Sequence, residues 1–550
     1  MLGRAIIYDD PLSFANYTKE LASKQRDDMV LALILDDSTK LGNPQFPMSE
    51  KGESNSQCRD PATQSPHHDV DCSFGKEPRP ICRWRNGLGS HSSLYRPWHY
   101  YTERSRIDMK IRALLLAIAA LGLVEASPVS HPAKVSYDGY KVYRVSIPST
   151  GGAITEEEAS LGGIELQRRR TGEGWWAVDL AVAPDDIASF EAAAAATSSR
   201  FGGGSHEILS HDLGADLAAE STTGSVSASY KYKAEGGAGG EALPGLEWFD
   251  AYHPYADHVQ YWADLQAALP NNSELIVAGT SFEGRPIQGI HLWGEGGKDS
   301  KPAIFFNGNV HAREWITSVV VEYILYQLVT GYKNDTLVQK VLDNYDFYVL
   351  PVVNPDGFVY TQTTDRLWRK NRQVRANTTA IGTDINRNWA VGWGGDGSSP
   401  NPSSETFSGF APHDTPETAA LAAYADSLRD RHGIKLYVDW HSYAQVILLS
   451  YGYTCTAFPA NIEEQEALAA GIAAAIAKPY NTTFDHGPGC LVLYQSSGNG
   501  RDYLTDVGKA QFGWGIELRD TQYGFVLPPD QILPSGIEIW EGLKYAWAQF

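Results

Sequence analysis

From about Leu246 to the carboxyl terminus, helical patterns alternate with short runs that are rich in β-branched and aromatic residues. Such alternation restricts the chain to a sheet whose strands are joined through helices. We therefore predict an α/β fold with a mixed, mostly parallel, twisted sheet covered by helices on both faces. In such sheets ligands bind outside the carboxyl ends of the strands. The clearest strand patterns are Ala303 to Asn307, Phe347 to Val353, Lys435 to Asp439 and Phe512 to Ile516.

A smaller α/β unit precedes this region. Two runs with a strand pattern and two with a helical pattern lie between residues 141 and 195. Their order is typical of a compact, ferredoxin-like unit with its own small sheet. We predict strands at Lys141 to Ile147 and Trp175 to Ala181, and helices at Glu156 to Leu166 and Asp185 to Ala195.

Glycine-rich stretches separate the two units. Gly202 to Gly204 and Gly236 to Gly240 are typical of flexible linker, and neither has the sequence context of a phosphate-binding loop. We therefore predict a small unit over residues 127–230, a linker over residues 231–245 and a large unit over residues 246–550.

A signal-peptide pattern lies inside the chain. Met109 is followed by two basic residues, by an apolar stretch from Ala113 to Val124 and by a small residue at Ala126. Because such signals act at a free amino terminus, we predict that translation starts at Met109, that residues 109–126 form the signal, and that the protein is secreted. Residues 1–108 are then disordered or an artefact of gene prediction. The alternative is that the apolar stretch is a core helix.

Cysteine usage agrees with secretion. Three of the five cysteines precede Met109, which leaves only Cys455 and Cys490 downstream. Secreted proteins normally pair such cysteines, and closing this loop is worth roughly 3 to 4 kcal/mol. We predict a disulfide between Cys455 and Cys490. Downstream of Met109, four glycosylation sequons, which begin at Asn271, Asn334, Asn377 and Asn481, agree with passage through a secretory pathway.

The charge balance and the length of the apolar runs exclude two functional classes. The chain has 45 basic and 66 acidic residues, a formal net charge of −21, which repels nucleic acid. No apolar run reaches the ~20 residues that a membrane-spanning helix needs. We therefore predict no nucleic-acid partner and no membrane span.

Residues of the types that bind zinc in proteins follow two of the predicted strands. His311 and Glu314 come shortly after Asn307, and His441 comes shortly after Asp439. A His-Glu pair at this spacing arises readily by chance, but a third ligand at a second strand end favours a metal site. A set of two histidines and one glutamate leaves a fourth position for water, as catalytic zinc sites do. We predict one Zn²⁺ per chain.

The same residues belong to a longer series of motifs, namely His311-Ala312-Arg313-Glu314-Trp315-Ile316, Leu367-Trp368-Arg369-Lys370, Asp384-Ile385-Asn386-Arg387-Asn388-Trp389, His441-Ser442-Tyr443, Tyr494-Gln495 and Glu517-Leu518-Arg519-Asp520. From about Leu246 to Phe550, this series resembles the pancreatic carboxypeptidase A/B family of zinc metallopeptidases. The small unit resembles the folded propeptide that covers the active site in that family. The resemblance implies a secreted enzyme, made as an inhibited precursor and activated by an endoprotease, that removes the last residue of peptides and proteins.

The resemblance assigns chemical roles to three of these side chains. Glu517 matches the family's catalytic glutamate, which takes a proton from water and delivers it to the leaving amine. Arg369 matches the arginine aimed at the developing oxyanion. Asp384 is a candidate to accept the second N–H of a zinc-binding histidine. Outside an active site, Glu517 would be one member of an ion pair at a strand end, and Arg369 would be a solvated cation.

Five other side chains match substrate contacts. The planar guanidinium of Arg387 suits two parallel hydrogen bonds to a terminal carboxylate, which would limit cleavage to the last peptide bond. Asn386 and Tyr494 match the family's other carboxylate contacts, and Arg313 and Tyr443 match its more distal contacts.

The preferred terminal residue stays open between two readings. An ungapped match from Tyr494 to Tyr503 puts Arg501 at the floor of the specificity pocket, where a guanidinium favours a terminal Glu or Asp. Between Tyr503 and Glu517, however, the chain is one residue longer than the mammalian pattern, so that Arg501 would point away. An apolar pocket would then be formed by Gly489, Leu493, Ser496 and Gly515.

Two rival functions and two sites of activation cleavage are also considered from the sequence. A catalytically inactive binding or cell-wall protein is disfavoured by the presence of Glu517 and all three ligands, and an unrelated zinc amidase by the Asn386-Arg387 pair. Activation cleavage is expected between Lys231 and Leu243, with residues 168–170 as a second candidate. We expect a monomer.

Overall fold

The computed structural model describes residues 133–148, 162–171, 174–201, 206–221 and 243–550. The predicted extension at residues 1–108, the signal at residues 109–126 and most of the linker lie outside the described residues.

An eight-stranded mixed sheet organises residues 243–550. Four neighbouring strands at its centre run parallel, and the flanking pairs are antiparallel except for the outermost pair at one edge. The predicted α/β fold is therefore confirmed. In spatial order the strands are β11 (Asp485–Pro488), β10 (Val446–Leu449), β12 (Phe512–Leu518), β9 (Ile434–Ser442), β7 (Ala303–Asn307), β8 (Asp346–Leu350), β6 (Pro286–Leu292) and β5 (Ser273–Thr280).

Helices cover both faces of this sheet. The buried side chains on the two faces belong to two different hydrophobic cores. On β7, Ile304 and Phe306 belong to one core and Phe305 to the other, because successive strand residues point to opposite faces. The helices of this unit are α3 (Tyr255–Ala268), α4 (Trp315–Gly331), α5 (Thr336–Asn344), α6 (Pro355–Thr363), α7 (Pro416–His432), α8 (Ile462–Tyr480), α9 (Gly489–Val492), α10 (Gly500–Asp506) and α11 (Ile532–Gln549).

A four-stranded sheet forms the smaller unit. Its spatial order is β2-β3-β1-β4, and all its strand pairs are antiparallel. The predicted strands at residues 141 and 175 and the helix after residue 185 are present. The elements are β1 (Lys141–Pro148), β2 (Ile164–Arg170), β3 (Trp175–Val182), α1 (Ile187–Phe201), β4 (His206–Ser210) and α2 (Leu213–Ser221).

One predicted helix is wrong where the structure describes it. Residues Ile164 to Leu166, the end of the helix predicted from Glu156, belong to strand β2 and pair with β3. Leu166 is buried between exposed or half-buried neighbours, and this short alternation fits an edge strand better than a helix. The tribasic run at residues 168–170 also lies within β2, so cleavage there would have to disrupt the sheet.

The predicted disulfide between Cys455 and Cys490 is confirmed. It joins the segment after β10 to helix α9. Within the described part of the chain, no helix combines the length and apolarity needed to cross a bilayer.

Candidate metal centre and active site

Three buried side chains converge at the carboxyl ends of the central strands. His311 Nδ1 lies 2.7 Å from Glu314 Oε1, and His441 Nδ1 lies 3.1 Å from Glu314 Oε2 and 3.2 Å from His311 Nδ1. Their ligand atoms all lie within 4.8 Å of one another. His311 and Glu314 come from the turn between β7 and α4, and His441 comes from β9.

The far side of each imidazole determines which nitrogen carries the proton. His311 Nε2 lies 3.2 Å from Asp384 Oδ1, and His441 Nε2 lies 3.0 Å from Asp439 Oδ2. Because an ionised carboxylate only accepts hydrogen bonds, the Nε2 atoms that face Asp384 and Asp439 serve as donors, and this leaves each Nδ1, which faces Glu314, as the nitrogen that can bind a metal. Two imidazole lone pairs and one carboxylate directed at one point fit a zinc ion.

Charge around these residues also favours a cation. Burial alone would favour neutral groups, but His311 and His441 hold the pKa of Glu314 well below its usual value. Likewise, the carboxylates of Asp439 and Glu314 outweigh burial and raise the pKa of His441 well above its usual value. The donor types, tautomers and surrounding charge therefore all suit a divalent metal ion.

Glu517 lies beside the metal centre, and one oxygen of its carboxylate is unpaired among the residues that the structure describes. Strand pairing sets it opposite His441 across β12 and β9. It is 7% exposed, and its buried Oε2 has no hydrogen-bond partner within the described residues. Burial, ahead of the opposing charge of His441 and the like charge of Glu314, raises the pKa of Glu517 to about 7. A divalent cation nearby would lower this pKa.

Arg369 is held against the same centre by Asp384. Its Nε and Nη2 donate to Asp384 Oδ2 at 3.1 and 2.9 Å, and its Nη1 lies 3.9 Å from Glu314 Oε1. Burial favours the neutral acid, but Arg369 and His311 hold the pKa of Asp384 well below its usual value. One carboxylate thus orients both a zinc-binding histidine and a cation.

Arg387, Asn386 and Tyr494 form a second cluster next to the metal centre. Arg387 Nη2 donates to the Tyr494 hydroxyl at 3.4 Å, and its Nε and Nη1 donate to the carbonyls of Gly397 and Asn386 at 2.8 Å. The Asn386 amide nitrogen lies 3.1 Å from His441 Nε2. The structure therefore places the predicted carboxylate contacts beside the predicted zinc ligands.

Comparison with known proteins agrees with this arrangement. Residues 258–542 match the family described as zinc carboxypeptidase. A "metallocarboxypeptidase A-like protein" of Trichophyton verrucosum is 40% identical over 436 residues, which cover 79% of this chain and 98% of the relative. Carboxypeptidase A2 of rat is 37% identical over 298 residues, 54% of this chain and 69% of the relative.

The chain belongs to the zinc carboxypeptidase family. Solved structures agree in fold. The carboxypeptidase A of Helicoverpa armigera gives a TM-score of 0.62 at 28% identity, covering 74% of this chain and 97% of its own. Thrombin-activatable fibrinolysis inhibitor gives 0.65 at 24% identity, covering 75% of this chain and 99% of its own. This zinc carboxypeptidase therefore has the carboxypeptidase-like α/β fold.

The small sheet contacts the two residues that match distal substrate contacts. Arg313 Nη2 donates to the Leu166 carbonyl at 3.1 Å, and the Tyr443 hydroxyl donates to Asp179 Oδ2 at 2.8 Å. Gln167 Nε2 donates to the Tyr443 carbonyl at 2.8 Å. In this zinc carboxypeptidase, strands β2 and β3 therefore bind one guanidinium nitrogen of Arg313 and the hydroxyl and carbonyl groups of Tyr443.

The side chain of Arg501 points into the region that would form an apolar pocket if this side chain pointed away. Its Nη2 lies 3.2 Å from Ser496 Oγ, and a side chain at either Gly489 or Gly515 would contact the guanidinium. Leu493 instead belongs to a small apolar cluster with Val446 and Leu448.

Sequence reasoning missed Asp439, which orients His441 as Asp384 orients His311. Asp439 is buried on β9 two residues before His441, so both side chains leave the same face of the strand. An aspartate two residues before a histidine ligand, inside an otherwise apolar strand, is the sequence signal that could have identified Asp439.

Proposed function

We propose that this zinc carboxypeptidase hydrolyses the C-terminal peptide bond of peptides and proteins, with Glu517 as general base and then general acid. When bound by His311, Glu314 and His441, a zinc ion would supply the Lewis acidity that activates water and polarises the scissile carbonyl. The observation that carries the proposal is the buried Oε2 of Glu517, which lies beside those ligands and has no hydrogen-bond partner in the described part of the chain.

Each neighbouring residue has a distinct task in this proposal. Glu517 takes a proton from the attacking water and passes it to the leaving amine. Arg369, fixed by Asp384, offers a cation to the developing oxyanion. Arg387, assisted by Asn386 and Tyr494, binds the terminal carboxylate and so restricts cleavage to the last bond.

We further propose that the small unit is an inhibitory propeptide. Its β2 and β3 strands bond to Arg313 and Tyr443, the residues that match distal substrate contacts in the family. Peptide substrates would have to compete with these strands. An endoprotease would release the unit by cleaving the linker at residues 231–245.

Secretion from a start at Met109 is also part of the proposal, and the protein would then be a monomeric glycoprotein. The Trichophyton verrucosum relative is covered almost entirely by 79% of this chain, so about a fifth of the chain has no counterpart there. The disulfide supports an oxidising compartment. All four sequon asparagines are exposed, namely Asn271, Asn334, Asn377 and Asn481.

A peptide with a free carboxyl terminus, compared with its C-terminal amide, tests the function. After limited trypsin treatment of the zinc-loaded protein, mass spectrometry should detect loss of single terminal residues from the free peptide only. Equal cleavage of the amide, or internal cleavage, would refute recognition of the carboxylate by Arg387. No cleavage of either peptide, with the propeptide removed, would favour the inactive binding protein.

A further inference from the structure

The two outermost strands of the eight-stranded sheet differ in their protection against a further strand. At one end, β11 (Asp485–Pro488) has four residues, begins with a charged side chain and ends with a proline, which cannot donate to another strand. At the other end, β5 (Ser273–Thr280) has eight residues, and none of them is a proline or a lysine. Edge strands of this length and composition are the ones that readily pair with another chain.

The outer edge of β5 is open in the described part of the chain. β5 pairs with β6 along one side, and the described sheet has no strand beyond it. Apart from the pairing with β6, no hydrogen bond among the described residues involves the backbone of residues 274–280. A bulge between Val277 and Gly279 leaves residues 273–277 as the regular part of the strand. The backbone groups that point away from β6 there are available to another strand.

Side chains give this edge an apolar surface. Leu275 is 41% exposed and Val277 is 56% exposed, and both lie on one face because strand residues two apart share a face. The one charged residue of the strand, Glu274, is already engaged, because its oxygens lie 2.9 Å from Lys298 Nζ and 3.1 Å from His291 Nδ1. An antiparallel pair of two copies, centred on the regular part of the strand, would place Leu275 against Leu275.

One of the four sequons lies immediately before this strand. Asn271 is exposed in the turn between α3 and β5, and its side chain makes no hydrogen bond within the described residues. The other two sequon residues have structural roles, because the Asn272 amide donates to the Trp293 carbonyl at 3.0 Å and the Ser273 hydroxyl donates to the Leu269 carbonyl at 2.7 Å. A bulky group attached to Asn271 therefore displaces no contact of the fold.

We propose that Asn271 carries an N-linked glycan that covers the open edge of β5 and keeps two copies of the chain from pairing there. This inference rests on the proposed secretion and gives a physical reason for the proposed monomer. In the transfer, the Asn271 amide nitrogen loses one proton to solvent and bonds to the anomeric carbon of the first sugar. The bond from that carbon to the diphosphate of a lipid-linked oligosaccharide breaks. The attached glycan is bulky and hydrated, and it lies at the start of the strand.

Removing the glycans from the folded protein tests the proposal without a substitution at Asn271. The chain is secreted from a yeast host, with translation starting at Met109, and is treated with an endoglycosidase under native conditions. We expect the mass measured by sedimentation to double, because the uncovered edges pair. Val277→Lys, which places a charge on the exposed edge, should stay a monomer after the same treatment. A deglycosylated protein that stays monomeric overturns the proposal, and so does a Val277→Lys variant that still doubles in mass.

Sequon variants then identify the glycan that matters. Asn271→Gln should be secreted as a dimer, whereas Asn334→Gln, which removes the sequon between α4 and α5, should stay a monomer. Glycopeptide mass spectrometry reports which asparagines are occupied. A secreted chain without a glycan on Asn271, equal association of both variants, or a chain that is not secreted at all overturns the inference.

Release of terminal residues after trypsin treatment separates this inference from the proposed function. Peptide hydrolysis by a protein whose Asn271 carries no glycan leaves the carboxypeptidase function standing while the inference fails. A protein that is occupied at Asn271 and associates only after deglycosylation supports the inference even if it hydrolyses no peptide.

Discussion

Two regions of the molecule bury charged side chains, and they satisfy these charges differently. At the contact between the small unit and the large one, Arg366 Nε and Nη2 each lie 2.7 Å from an oxygen of Glu220. At the metal centre, the Nδ1 atoms of two histidines share the single carboxylate of Glu314, and Glu517 Oε2 has no partner among the described residues. Complete pairing holds two units together, whereas incomplete pairing leaves groups free to bind a ligand.

The largest effect is expected where a zinc ligand is removed. His441→Ala leaves one histidine and one glutamate, too few for the three protein ligands of a catalytic zinc site. We expect loss of both bound zinc and peptide hydrolysis, measured by metal analysis and terminal-residue release. His432→Ala, at an exposed position, is the control. Stoichiometric zinc in the His441 variant would disprove its assignment as a ligand.

Removing one member of the buried ion pair tests the contact between the small unit and the large one. Glu220→Ala leaves Arg366 buried and uncompensated, so the free energy of unfolding of the uncleaved chain should fall by about 3–5 kcal/mol. Asp430→Ala removes a 68%-exposed partner of Arg429 and should lower the free energy of unfolding far less, because water screens an exposed pair. Urea denaturation measures both. Equal costs would mean that the buried pair has no special importance.

A smaller effect is expected at the carboxylate that orients His311. Asp384→Asn weakens the acceptor for the His311 Nε2 proton and for Arg369. Zinc affinity should fall about 10- to 100-fold, as for other residues that support a metal ligand. Competition with a chelator measures this affinity, with Asp430→Asn as control. Unchanged affinity would show that Asp384 serves only Arg369.

The smallest effect is a pH dependence. Glu517 acts as a base only when ionised, so kcat/KM should fall as pH drops through its pKa. Burial raises that pKa to about 7 without a cation, and zinc lowers it, so the midpoint should lie below 7. A profile of kcat/KM between pH 4 and 8 measures it. A rate that rises as pH falls would contradict the assignment.

The central strands were predictable because each is a mostly apolar run, and three of the four have functional residues at or just beyond their carboxyl ends. Strand β7 was predicted at its observed limits, and His311 and Glu314 follow it. Strand β2 was missed because an edge strand with a single buried residue lacks a clear period. The direction of Arg501 could not be predicted, because a one-residue length difference leaves the alignment ambiguous and the glycines around it are distant in sequence.

The most direct test of the account is the activity of Glu517→Gln together with its metal content. Glutamine retains the shape of the side chain but cannot take a proton from water. We predict one zinc ion per chain, as in the unaltered protein, and terminal-residue release reduced by about 10²- to 10⁴-fold. A zinc-loaded variant with undiminished release would contradict the central claim that Glu517 performs the proton transfers.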